Sequence, residues 1–238
     1  MKRVTLRLVG SLLIAASLWA GLRSYSLHHA ATRPDSVHVP AGEASPPRPS
    51  DFKFGELSLA GDLNDPGARN IPEKLPIFTL SDRAGKPTSI TLWAGKSLVL
   101  NFWATWCAPC REEIPLLSAL HHEWADKGVE VIGIAVDDRA QVGAFADQYK
   151  IPYPLLIGEQ DALDLIAELG VQNPGFPFTV FTDRRGDVVT LFLGALHRPE
   201  ATLILSMVEK LDHGAITLKA AQSAINGGLR ALAANRPK

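Results

Sequence analysis

An α/β domain with a central mixed β-sheet flanked by helices is what the sequence predicts, and three observations predict it. Residues 97–103 and 129–136 are apolar runs, and between them Ile114, Leu116, Leu117, Leu120 and Trp124 recur at helical spacing. A strand, a helix and a strand in that order make a crossover unit with parallel pairing. Residues 178–182 and 188–192 are two further apolar runs joined by Asp183-Arg184-Arg185-Gly186-Asp187, a turn that glycine permits. That antiparallel hairpin, added to the parallel unit, makes the sheet mixed. Composition agrees, since 46% of the 238 residues are apolar and 21% charged, values that exclude a wholly disordered chain, a collagen-like fibre and a polytopic membrane protein.

Taken in order, the elements begin with an address. Lys2, Arg3 and Arg7 precede an uncharged apolar run over residues 8–22, the order of an export signal. Fifteen residues rise only about 23 Å as a helix, short of a ~30 Å hydrocarbon core, but residues 4–22 would span it if Arg7 reached the headgroups. Residues 1–30 are therefore read as a signal peptide or an N-terminal membrane anchor, with the body of the chain outside the cytoplasm. Residues 31–69 are read as a linker, because Pro34, Pro40, Pro46, Pro47 and Pro49 stand among Ala, Ser and Gly at its start, a composition too poor in apolar groups to offset the entropy of ordering.

The folded body is expected over residues 70–212. Residues 77–80 and 88–92 alternate about a turn at 82–86 and predict a β-hairpin ahead of the crossover unit. After the strand at 129–136 the pattern predicts a helix over 140–149, a short strand over 154–157 and a helix over 160–169 stopped by Gly170. The hairpin at 178–192 follows, and a helix over 199–211 closes the domain. Residues 213–238 form a weakly amphipathic helical tail interrupted by Gly227-Gly228.

Charge narrows the partners. The formal net charge is −1, and the body beyond residue 50 is mildly acidic with no basic cluster, which argues against nucleic acid.

Chemistry concentrates in Trp106-Cys107-Ala108-Pro109-Cys110, which holds both cysteines of the chain. At i and i+3, with the first at a helix N-terminus, the two sulfurs are within disulfide reach, and the free N–H groups and positive helix end favour a thiolate on Cys107. Cys107 is thus the expected nucleophile and Cys110 the resolving thiol. Two other readings stand beside this one. A zinc site needs two more ligands, for which the nearest candidates are His121 and His122. A structural disulfide closing so short a loop stabilises little.

Residues 101–115, Asn-Phe-Trp-Ala-Thr-Trp-Cys-Ala-Pro-Cys-Arg-Glu-Glu-Ile-Pro, resemble the active-site segment of the thioredoxin-like TlpA/ResA group of exported thiol-disulfide oxidoreductases. The likeness extends over roughly residues 70–212 and includes Gly175-Phe176-Pro177-Phe178-Thr179-Val180. It implies a thioredoxin-like fold with an extra N-terminal β-hairpin. It also implies that Pro177 is a cis-proline whose loop lies against the cysteine pair, that Trp106, Phe176 and Pro177 meet the substrate, and that Glu113 influences the cysteines and their protons. Helix geometry agrees for Glu113, since positions i and i+3 share a face. Asn101 falls where thioredoxins place a buried acid, so this chain must use another proton acceptor.

The implied activity is reduction of disulfides in exported proteins, such as apocytochrome c or metal-site assembly factors, by a membrane-tethered periplasmic domain. A membrane thiol carrier would recharge it, and no cofactor or metal is expected beyond the redox-active Cys107–Cys110 disulfide. Two other classes of function are weighed against this. A peroxiredoxin-like antioxidant resembles P-x-x-x-T-x-x-C around its cysteine, whereas Leu100 and Ala104 stand seven and three residues before Cys107. A copper-delivery module would exploit the affinity of soft thiolates for Cu(I), but no histidine stands beside the Pro177 loop.

Overall fold

A computed structural model of the chain describes residues 71–171 and 175–235. The expected signal or anchor segment and the Pro-rich linker lie outside the described residues. Among the described residues no helix is long and apolar enough to cross a membrane.

Seven strands form one mixed sheet in the order β2-β1-β5-β4-β3-β6-β7. They are β1 (Thr79–Asp82), β2 (Pro87–Ser89), β3 (Ser97–Trp103), β4 (Val129–Ala135), β5 (Leu155–Ile157), β6 (Phe178–Thr182) and β7 (Val188–Leu193). The centre is parallel. β3 pairs with β4 along its full length, from Ser97 opposite Val129 to Trp103 opposite Ala135, and β4 pairs with β5. The flanks are antiparallel, β1 against both β2 and β5, and β6 against both β3 and β7. Among the described residues five α-helices flank the sheet: α1 (Ala108–Trp124), α2 (Arg139–Tyr149), α3 (Gln160–Glu168), α4 (Arg198–Asp212) and α5 (Leu218–Ala234).

Period-two alternation splits β3 between two cores. Leu98, Leu100 and Phe102 enter one with Ile132 and Ile134 of β4, Phe178 and Val180 of β6, and the inner residues of α3. Val99 and Trp103 enter the other, which α1, α2, α4 and α5 cover and which contains both cysteines. Both faces of β3 are buried, as its mostly apolar character predicts, with Asn101 the polar break.

Two local expectations differ from the structure. Residues 90–93, read partly as strand, form a 3₁₀ turn capped by Ser89, whose hydroxyl accepts from the Thr91 N–H, and this turn delivers Ile90 to the core. Gly227-Gly228 does not interrupt the last helix. Two glycines weaken a helix by roughly 1 kcal/mol each, but α5 packs so closely on α4 that a Cβ on Gly228 would meet Leu203 Cδ2 at 2.6 Å. Ala221, Ile225 and Leu229 of α5 join the same core as the cysteines.

At the end of the sheet where β3 begins, Asp212 accepts from the Ser97 hydroxyl and the Arg184 N–H. Asp183 accepts from the Arg185 and Asp187 N–H groups. These buried carboxylates secure the β6–β7 turn to the end of α4, and leave the opposite end of the sheet for the site.

Candidate active site

At the C-terminal end of β3 the chain turns through Ala104, Thr105 and Trp106 into α1, and the Cys107 N–H donates to the Ala104 carbonyl at 3.2 Å. Cys107 is the N-cap of α1. Its Sγ accepts from the Cys110 N–H at 3.3 Å, and Pro109 occupies the first turn, where a missing N–H forfeits no helical bond. The two cysteines are joined in a disulfide. Both are buried, with Cys107 at the mouth of the helix and Cys110 one turn inside.

An aromatic column runs inward beside them. Trp106 is 68% exposed, and its ring meets the edge of Phe176 at 5.8 Å. Phe176 stacks near Phe178 at 6.3 Å, and Phe178 lies on Phe102 at 4.4 Å. The Phe176–Pro177 peptide is cis, and the Pro177 carbonyl accepts from the Gly194 N–H. Trp106 is thus the surface end of a stack that terminates in the core, whereas Trp103, three residues earlier, is fully packed against Phe145.

Glu113 is 2% exposed, so it is not a solvated first-turn glutamate. One carboxyl oxygen accepts from Asn101 Nδ2 at 2.7 Å and the other from the Leu196 N–H at 2.9 Å. Asn101 also donates to the Thr179 hydroxyl at 3.2 Å, which fixes the orientation of its amide. Burial disfavours the charged carboxylate, and the two hydrogen bonds only partly offset this, so the Glu113 pKa is raised to about 7. The same burial, with the nearby Glu113 charge, pushes the Tyr153 phenol up. A carboxyl that exchanges its proton near neutrality therefore lies on the inner side of the cysteine helix.

Residue order points to Glu113 but not to what holds it. The available signal is Asn101, the one polar residue inside the apolar run of β3. Thr179 lies 78 residues from Asn101, and Leu196 lies 83 residues from Glu113, so these partners come together only through the sheet. A second contact leaves no signal at all. Asp137, just after β4, accepts from both the N–H and the hydroxyl of Thr105. His121 Nδ1 instead lies 3.4 Å from a carboxyl oxygen of Glu130, which also binds Lys96. Among the described residues no group of three or more His, Cys, Asp or Glu could hold a metal ion.

A mixed sheet with a disulfide-bonded Cys-Ala-Pro-Cys pair at a helix N-terminus and a cis-proline loop defines a thiol-disulfide oxidoreductase of the thioredoxin-like fold. The AhpC/TSA family profile matches residues 71–191, about half of the chain. Thioredoxin-like protein YneN of Bacillus subtilis is 35% identical over 144 residues, covering 59% of this chain and 78% of that protein. Thiol-disulfide oxidoreductase ResA of Geobacillus thermodenitrificans is 32% identical over 148 residues, covering 62% and 83%. A crystal structure of a thiol:disulfide interchange protein from Chlorobium tepidum superposes with a TM-score of 0.52 at 29% identity, over 58% of this chain and 97% of that one. The chain belongs to the AhpC/TSA family, among its ResA-like thiol-disulfide oxidoreductases.

Proposed function

We propose that the chain is a disulfide reductase of exported proteins, held at the periplasmic face of the inner membrane by its N-terminal segment. The observation that carries this is Glu113, a carboxyl with a pKa near neutrality buried one turn beyond Cys110 on the same helix. Such a group accepts a proton as a buried thiol becomes a thiolate, which the resolving step requires.

The Cys107 thiolate, favoured by the helix N-terminus and the Cys110 N–H, attacks one sulfur of the substrate disulfide. A mixed disulfide forms and the first substrate thiolate leaves. Glu113 takes the proton of Cys110, whose thiolate attacks the Cys107 sulfur, closes the Cys107–Cys110 disulfide and releases the second substrate thiolate. Two electrons have passed to the substrate. A membrane thiol carrier must then return them, since the exported compartment is oxidising.

Trp106, Phe176 and Pro177 receive the substrate segment, with exposed Trp106 and half-buried Phe176 as an apolar rest and the cis-proline loop as the backbone partner. Apocytochrome c thiols and the cysteines of metal-site assembly proteins are the substrates that fit this chemistry.

Titration of the full-length chain against dithiothreitol and glutathione, with alkylation as readout, tests the direction. A reductase has a potential near or below roughly −220 mV, and one near −120 mV would reverse the assignment to an oxidant. Cys107→Ser is expected to abolish exchange and Cys110→Ser to accumulate mixed disulfides, and equal trapping by both would undo the division of roles between the two sulfurs.

A further inference from the structure

We propose that Asp137 is a positioning residue of the exchange, holding the turn that carries Trp106 and the Cys107 sulfur through its two hydrogen bonds to Thr105. The inference rests on the reading of Cys107 as the attacking sulfur.

β3 and β4 end side by side, with Trp103 opposite Ala135. The ladder continues for one more bond, from the Val136 N–H to the Trp103 carbonyl at 2.9 Å, before β3 turns away into the cysteine loop. Asp137 is the next residue. Its Oδ2 accepts from the Thr105 N–H at 3.0 Å and from the Thr105 hydroxyl, while its Oδ1 accepts from the Asp138 N–H at 2.8 Å. A carboxylate suits this place because it only accepts, and one oxygen can take a backbone and a hydroxyl donor together. It extends the strand pairing by a side chain where the backbones diverge.

In the oxidised chain the Cys107–Cys110 bond also restrains the turn. That bond is open in the dithiol form that attacks substrate. The turn then keeps its own Cys107 to Ala104 bond, and the Asp137 clamp ties it to the neighbouring strand. Trp106, mostly exposed and braced by the edge of Phe176, inherits its position from the residue before it. Reaction geometry is sensitive to such placement, since a misplacement of about 1 Å can lower a rate by up to ~10²-fold.

The test is steady-state reduction of insulin disulfides by the full-length chain with dithiothreitol as electron source. Asp137→Ala is expected to lower kcat/KM about tenfold and Thr105→Val, which keeps the backbone bond, by less, both mainly through KM and with the thermal midpoint of the oxidised protein retained. Thr105→Ser, which keeps the hydroxyl, should restore the wild-type value. The double variant should lose no more than Asp137→Ala alone, because the hydroxyl bond that Thr105→Val removes is one of the two that Asp137→Ala removes. Wild-type kcat/KM in Asp137→Ala overturns the proposal, as do additive losses in the double variant or a thermal midpoint that falls in step with activity. Exchange that survives in Cys107→Ser sinks the underlying reading instead, so the two failures are distinguishable.

Discussion

The two faces of β3 are built from alternate residues of one strand, yet they do different work. Leu98, Leu100 and Phe102 face an apolar core closed by α3 and by the stacked rings of Phe102 and Phe178. Val99, Asn101 and Trp103 face the helices that carry the cysteines, and there the sheet accepts a buried amide, a buried hydroxyl and a buried carboxyl. The apolar face holds the sheet in shape. The other face gives up some stability to keep an ionisable group beside the redox pair. Apolar packing and a buried ionisable group thereby lie on opposite sides of the same strand, seven residues long.

The widest break in this comparison is on the apolar side. Phe102 is fully buried, and Phe102→Ala is expected to lose about 3–5 kcal/mol of unfolding free energy. Denaturant titration measures the loss, and the dependence of stability on pH should keep its shape. A changed pH profile would show that the two faces are not independent.

Glu113→Gln acts on the other side and in the opposite direction. At and below the ordinary value of 4.5 the carboxyl is largely protonated in folded and unfolded chains alike and carries little penalty. Between 4.5 and about 7 the unfolded chain releases the proton while the folded chain retains it, so stability falls as pH rises through this window. Above it the loss is complete, about 3 kcal/mol at ~1.4 kcal/mol per unit. The Gln variant never ionises but accepts only one of the two N–H bonds, so its stability relative to wild type should rise between pH 4 and pH 8 by up to that amount. Its exchange rate should also lose the inflection near neutrality. Parallel stability curves for the two proteins would contradict a buried titrating carboxyl.

The smallest expected effect sharpens the same point. Asn101→Ala removes a donor that favours the ionised carboxylate, so the pH midpoint of the Glu113-linked stability change should move upward from that of wild type. A downward shift would mean that Asn101 does not act on Glu113 as a donor.

Much of this was readable from residue order. The period-two and helical patterns located most strands and helices to within a residue or two, because hydrophobic periodicity reports which groups a local element must bury. The Cys-Ala-Pro-Cys spacing and its helix were equally local. What failed locally was Ile90, where a capping serine and a core site outweighed strand preference, and Gly227-Gly228, where packing on Leu203 outweighed helix propensity.

Local pattern suffices for the strands, the crossover unit and a dithiol at the mouth of a helix, since each depends on neighbours within a few residues or on a repeating apolar run. The surroundings of that dithiol depend instead on residues distant in the chain. Residue order and the family resemblance single out Glu113, but not its burial. Burial in the folded chain raises its pKa to about 7, against the lowering effect of the N–H groups of Asn101 and Leu196 that hold it. Asp137 reads as a loop aspartate, and it meets Thr105 because β3 and β4 end in register. Burial and long-range hydrogen bonds set both, and neither leaves a period or a spacing in the chain.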